Sequence, residues 1–247
     1  MAQSCLLCYI TSRAGFPGDE PARRFRLLEK IEEAATSGVD YIQLREKDLP
    51  IRELESLARE AMRLIREASK QLRTENRELR TDLETDLGTA LLINARTDVA
   101  LATGAPGIHL PAGDVSPEDV RKAWKSKKNA GTDARENAPS DPIIAVSCHS
   151  PQEVTQAAEH EATFAVFAPV FEKKDASETS PAGLEALREA CRASIPVLAL
   201  GGVTLQNAES CLQAGASGIA AIRLFQENDI AAVVHELRQR WKPPSIS

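Results

Sequence analysis

The sequence predicts an α/β protein folded as a single (β/α)8 TIM barrel, and three observations predict it. Eight short apolar runs alternate with amphipathic stretches along 247 residues, which is the pattern of parallel strands joined by crossover helices. A helix-end motif recurs before every second run. No G-x-G-x-x-G follows the first run, which disfavours the structural alternative, an open doubly wound sheet. One such barrel uses about 250 residues, so the whole chain, 1–247, is expected to form one domain.

The strand candidates are Leu6–Thr11, Tyr41–Leu44, Ala90–Asn94, Gly107–Leu110, Ile143–Ser147, Phe164–Phe167, Pro196–Leu200 and Gly218–Ile222. Between them, ARRFRLLEKIEEAATSG, ELESLAREAMRLIREA, SPEDVRKAW, SPQEVTQAAEH, GLEALREACRA and TLQNAESCLQAG carry apolar residues at three- and four-residue spacing, the signature of helices with one buried face. SGVDYIQL, TGAPGIHL, HEATFAVF and AGASGIAA each set a helix end, usually with a cap glycine, a fixed few residues before a strand. They start at Ser37, Thr103, His160 and Ala214, spaced by 66, 57 and 54 residues, or about two βα units each. They mark strands two, four, six and eight. Two polar stretches break the rhythm, near 70–86 and 125–141; the first is expected to extend the second helix or form an excursion, and the second to be a loop. A tail over 242–247 completes the chain.

A net charge of −6 argues against nucleic-acid and membrane-surface partners but leaves room for a local cationic pocket that takes a phosphorylated small molecule. Five scattered cysteines fit reduced thiols, and Cys5 and Cys8, although spaced C-x-x-C, lie inside the apolar run CLLCYI and are expected in a buried strand. No apolar run approaches a membrane span and the first residues lack a signal pattern, so the expected location is cytoplasmic. A homodimer is open.

Barrels build their sites at the C-terminal ends of the strands. Reading those ends in order gives Arg45, Glu46 and Lys47 after strand two, Asn94 and Ala95 after three, Asp114 after four, and Ser147 and His149 around the end of five. Strand six is followed by a loop with Lys173 and Lys174, strand seven by Gly201 and Gly202, and strand eight by Arg223. The glycine pair suits close approach of backbone N–H groups to a phosphate, and Arg223 would add a bidentate cation. His149 is a candidate general acid/base. His109, within a strand, is expected in the core or behind the site, and His160 and His235 on the surface.

Taken as a set, QLREK, LLIN, GIHL, VSCHS, PVFE, IPVLALGGVT and AGASGIA resemble the thiamine phosphate synthase and TenI superfamily, from Leu6 to about Phe225. The resemblance implies a barrel that binds a thiazole phosphate and, in the synthases, also Mg2+ and a pyrimidine pyrophosphate. It assigns Arg45, Lys47, Asn94 and Ser147 to substrate or pyrophosphate binding, with Lys173 or Lys174 as a substitute cation, Asp114 to a weak Mg2+ site, and His149 to catalysis, while Gly201, Gly202 and Arg223 keep the phosphate-binding role read from the barrel. Four departures stand out. Ala95 occupies a position where the synthases carry an aspartate, FEKKDASET replaces a threonine-rich loop, HLPAGD resembles the TenI proteins, and Arg223 replaces the serine common after strand eight. These departures favour a thiazole tautomerase of the TenI kind, which needs no cofactor. The alternatives are a thiamine phosphate synthase, which needs Mg2+, and a non-catalytic phosphate-binding barrel.

Overall fold

The computed structural model describes residues 5–75, 88–128, 141–172 and 180–241. Eight parallel strands close in sequence order, β1 Leu6–Ile10, β2 Tyr41–Leu44, β3 Ala90–Asn94, β4 Gly107–Leu110, β5 Ile143–Cys148, β6 Phe164–Phe167, β7 Val197–Ala199 and β8 Gly218–Ala221. The seam between first and last pairs Leu6 with Gly218 and Tyr9 with Ala221. Around them run α1 Glu20–Thr36, α2 Ile51–Glu75, α3 Thr97–Thr103, α4 Pro117–Lys128, α5 Pro151–Glu159, α6 Gly183–Ala190, α7 Ala208–Gln213, α8 Arg223–Gln226 and α9 Ile230–Arg240.

Period-two alternation divides the apolar residues into two layers. Cys8, Ile10, Leu92, Ala145, Phe164, Val166, Leu198 and Ala220 fill the barrel interior, while Leu7, Ile42, Leu91, Ile108 and their counterparts face the helices. Tyr41 stacks on Phe164 inside the barrel with ring centroids 4.6 Å apart. Helix α1 shows the outer layer at work. Asp19 caps it by accepting from the Ala22 N–H, Pro21 stands in its first turn, and Leu27, Leu28, Ile31, Ala34 and Ala35 form its buried stripe. Full burial of side chains such as Leu27 and Ile31 contributes about 1.5–3 kcal/mol each.

The recurring helix-end motif is a Schellman cap used four times. The N–H groups of Val39, Ala105, Ala162 and Ala216 donate to the carbonyls of Ala34, Ala100, Ala157 and Cys211, five residues back in every case. The residue before each is left-handed: Gly38, Gly104 and Gly215 in three caps, and Glu161, at φ +61°, in the fourth. A side chain in that region is strained, so Glu161→Gly is expected to stabilise the protein by about 0.5–1 kcal/mol in urea unfolding.

Two sequence expectations shift, at α4 and α7, and two hold, at α2 and at Cys5 and Cys8. The basic run after Trp124 stays helical through Lys128, because lysine and serine there interrupt nothing. Helix α2 reaches Glu75; residues 76–87 and 129–140 lie outside the described set. Helix α7 starts only at Ala208, since Asn207 Oδ1 takes the Thr204 N–H and holds a turn. Burial pushes the Cys5 and Cys8 thiols up to about 12, so they serve as small apolar side chains, as the CLLCYI run suggests.

Candidate active site

The polar residues on the interior parity of the strands gather at the C-terminal end of the barrel. Gln43 is in register with Leu92, Asn94 with His109, and His109 with Ala145; Ser147 follows Ala145 by two. Gln43 Nε2 donates to Asn94 Oδ1 at 2.7 Å, and His109 Nε2 lies 2.8 Å from Ser147 Oγ. Two atoms of this row are buried without a hydrogen-bond partner among the described residues, Gln43 Oε1 and His109 Nδ1. Orphaned buried polar groups are costly, so they mark where a ligand's donors and acceptors belong. Asn94 and Ser147 come from the sequence reading. Gln43 does not; it alternates along β2 with Ile42 and Leu44, which face the helices.

Burial, and then the positive charge of Arg45, push the His109 pKa from 6.5 down to about 3. The unfolded chain therefore binds a proton that the folded chain refuses. Stability is full above about pH 6.5 and is lost as pH falls toward about 3. His109→Gln is expected to flatten this slope in urea unfolding measured from pH 7 to 4.

The charged run after β2 splits by parity. Glu46 turns inward, 5% exposed, and Lys47 is exposed. Glu46 accepts from Thr11 Oγ1 at 2.6 Å, from the Arg13 N–H at 3.1 and 3.2 Å, and from Arg13 Nη1 at 3.1 Å. Asp48 takes Arg13 Nη1 and Nη2, both at 2.7 Å. Arg13, 6% exposed, thus holds both acids of the run, and also Glu20. The cations Arg45 and Lys47 have no ion-pair partner among the described residues. Sequence reasoning missed Arg13 because its acids lie 33 and 35 residues away.

At the end of β3, Ala95 sits at φ +59° beside Asn94. Asp114, exposed after β4, accepts from the Val115 N–H at 2.8 Å. His149 follows β5, with Nδ1 2.6 Å from the Ala168 carbonyl. A carbonyl only accepts, so Nδ1 carries the proton and Nε2 is left as the basic nitrogen. The glycine pair after β7 is left-handed at φ +97° and +65° and packs on the loop after β6: a Cβ on Gly201 would meet Pro169 at 2.7 Å, and one on Gly202 the Glu172 carbonyl at 2.5 Å. No described backbone acceptor takes the Gly201 or Gly202 N–H. Arg223 opens α8 after β8, on the neighbouring strand. Lys173 and Lys174 lie outside the described residues.

The model of the family described as thiamine monophosphate synthase matches residues 16–225. The chain belongs to this family. It is 33% identical over 210 residues to the thiamine-phosphate synthase of Methanoculleus marisnigri, covering 84% of each chain. With the thiamine-phosphate synthase of Moorella thermoacetica it shares 32% over 245 residues, 97% of this chain and 96% of that one. Among solved structures, the thiamine phosphate pyrophosphorylase from Pyrococcus furiosus superposes with a TM-score of 0.69 at 26% identity over 96% of both chains. The (S)-3-O-geranylgeranylglyceryl phosphate synthase of Thermoplasma acidophilum, at 14% identity and TM-score 0.60, shares the barrel fold. The family is that of a thiamine-pathway enzyme, and the names of these relatives favour the synthase alternative over the tautomerase that the sequence departures favour. No helix of the described residues is long and apolar enough to cross a membrane.

Proposed function

We propose that the chain is a thiamine phosphate synthase, joining an aminopyrimidine pyrophosphate to a thiazole phosphate. The observation that carries this reading is the pair Arg45 and Lys47 at the mouth of the barrel, which have no ion-pair partner among the described residues. A tautomerase releases no pyrophosphate and has no use for such a pair. In the synthase, the thiazole ring nitrogen attacks the pyrimidine methylene carbon, a C–N bond forms, and the C–O bond breaks with its electron pair leaving on pyrophosphate. Arg45 and Lys47 stabilise the charge that develops there. Gln43 Oε1 accepts from the amino group of the pyrimidine, and His109 Nδ1 meets a second polar group of the ligand. Gly201, Gly202 and Arg223 hold the thiazole phosphate.

Mg2+ is the cofactor that the synthase reading implies, and the donors present do not build a site for it. Among the described residues no three His, Cys, Asp or Glu side chains group around a point; Asp114 is one carboxylate, and Ala95 offers no side-chain oxygen. Ala95→Asp places a second carboxylate at a left-handed position that Asp tolerates. It is expected to lower the Mg2+ concentration for half-maximal turnover roughly tenfold; an unchanged requirement would show that position 95 does not serve the pyrophosphate.

Purified protein with both substrates tests the reading: thiamine phosphate and pyrophosphate should form in equal amounts, and neither forming from a folded sample would refute it. The tautomerase stands as a second reading on one observation, the basic Nε2 that the Ala168 carbonyl leaves on His149.

A further inference from the structure

We infer that Arg13 and Thr11 are positioning residues for the pyrophosphate end of the site, acting through Glu46 on Arg45 and Lys47. This rests on the reading of that pair as the pyrophosphate grip.

In QLREKD, cations and acids alternate, and left to themselves Arg45 and Lys47 would pair with their own neighbours and lose their attraction for an anion. The structure prevents this from one side. Arg13 is buried, and its guanidinium binds Glu46 and grips Asp48 with two parallel N–H donors. Thr11, fully buried, links the clamp to the cation: its hydroxyl donates to Glu46 Oε1 at 2.6 Å and accepts the Arg45 backbone N–H at 3.0 Å. The backbone from which Arg45 projects is therefore fixed to the end of β1 by a buried network in which each group is satisfied.

The other side of the β1–α1 loop is fixed as well. Gln226 of α8, 8% exposed, accepts from Tyr9 Oη at 3.3 Å and donates to the Ser12 carbonyl at 3.0 Å. A Cβ on Gly15 would come within 2.6 Å of its Nε2. The loop thus spans from the β2 end, where the pyrophosphate belongs, to the helix that Arg223 opens. Arg13 touches no substrate in this account. It neutralises the acids that would otherwise compete with substrate for the two cations.

Calorimetric binding of inorganic pyrophosphate, and separately of thiazole phosphate, tests this in the unaltered chain, Arg13→Lys and Thr11→Val. Lysine keeps the charge but loses the fork; valine keeps the shape but cuts the link from Glu46 to Arg45. Arg13→Lys is expected to weaken pyrophosphate at least tenfold and Thr11→Val about fivefold, with thiazole phosphate affinity within a factor of about two. General damage to the barrel would weaken both ligands. Equal weakening of the two, or pyrophosphate affinity unmoved in both folded variants, overturns the inference. Pyrophosphate binding that shows this selectivity in a chain without turnover would sustain the positioning role and remove the synthase reading.

Discussion

Arg45→Met is expected to reduce kcat/KM for the aminopyrimidine pyrophosphate by about 10²- to 10³-fold, or roughly 3–4 kcal/mol of transition-state stabilisation. The size follows from position. The guanidinium stands on the interior parity of β2 two residues beyond Gln43, close enough to His109 to push its pKa down, and no described acid neutralises it. In the proposed reaction the negative charge it meets grows as the C–O bond breaks, so the loss should fall on kcat as well as KM. The proposed thiazole phosphate site lies at other strand ends, those of β7 and β8, so the KM for that substrate should stay within a factor of about two. Steady-state kinetics with each substrate varied in turn, alongside a thermal melt, separates these effects. An equal rise in both KM values would place Arg45 outside the pyrophosphate grip.

Gly218→Ala is expected to be the most damaging single methyl in the barrel. A Cβ at Gly218 would lie 1.8 Å from the Leu6 carbonyl oxygen and 2.6 Å from its carbon. Leu6 and Gly218 are register partners in the seam that closes β8 on β1, so no flexible side chain is available to yield. Backbone must move, at the cost of ladder hydrogen bonds on both strands. The expected loss is about 3 kcal/mol or more, against a total of about 5–15 kcal/mol for a typical domain. Urea unfolding or soluble yield at 37 °C measures it. A loss below about 1 kcal/mol would mean that the seam is looser than its geometry.

The fold was legible in the sequence because barrel strands are short, apolar and punctuated. All eight runs became strands, four with the expected bounds and four with ends shifted by one residue, and the motif spaced by about two βα units proved to be one hydrogen-bonded cap repeated four times. Glu161 shows its limit: a residue of the wrong type holds the glycine position because the cap's backbone bonds hold it there. The placement of the candidate site's groups was legible where they sit next to a strand end, as at Arg45, Asn94 and Ser147. It was illegible where partners are distant in sequence. Nothing near Glu46 announces Arg13, and so Glu46 read as one more charge at the strand end when it is buried against Arg13. Gln43 was missed for another reason. One polar residue in an apolar run reads as noise until its neighbours on β3 and β4 are known.

The weight given to Ala95 and HLPAGD was also local. Each departure lies at one strand end, whereas the likeness to the thiamine-phosphate synthases extends over nearly the whole chain. The cations of β2 and the polar row behind them fit that likeness, and His149 fits either chemistry.

The most direct test gives one preparation of the protein two assays in parallel. In the first, aminopyrimidine pyrophosphate, aromatic thiazole phosphate and Mg2+ are supplied, and thiamine phosphate is read by its oxidised fluorescence. In the second, the non-aromatic carboxythiazole phosphate is supplied without metal, and its conversion to the aromatic isomer is followed. If the chain is a synthase, thiamine phosphate forms, and its formation collapses in Arg45→Met and survives in His149→Ala. Rapid isomerisation that is lost in His149→Ala, with no thiamine phosphate from the same folded sample, would contradict that reading.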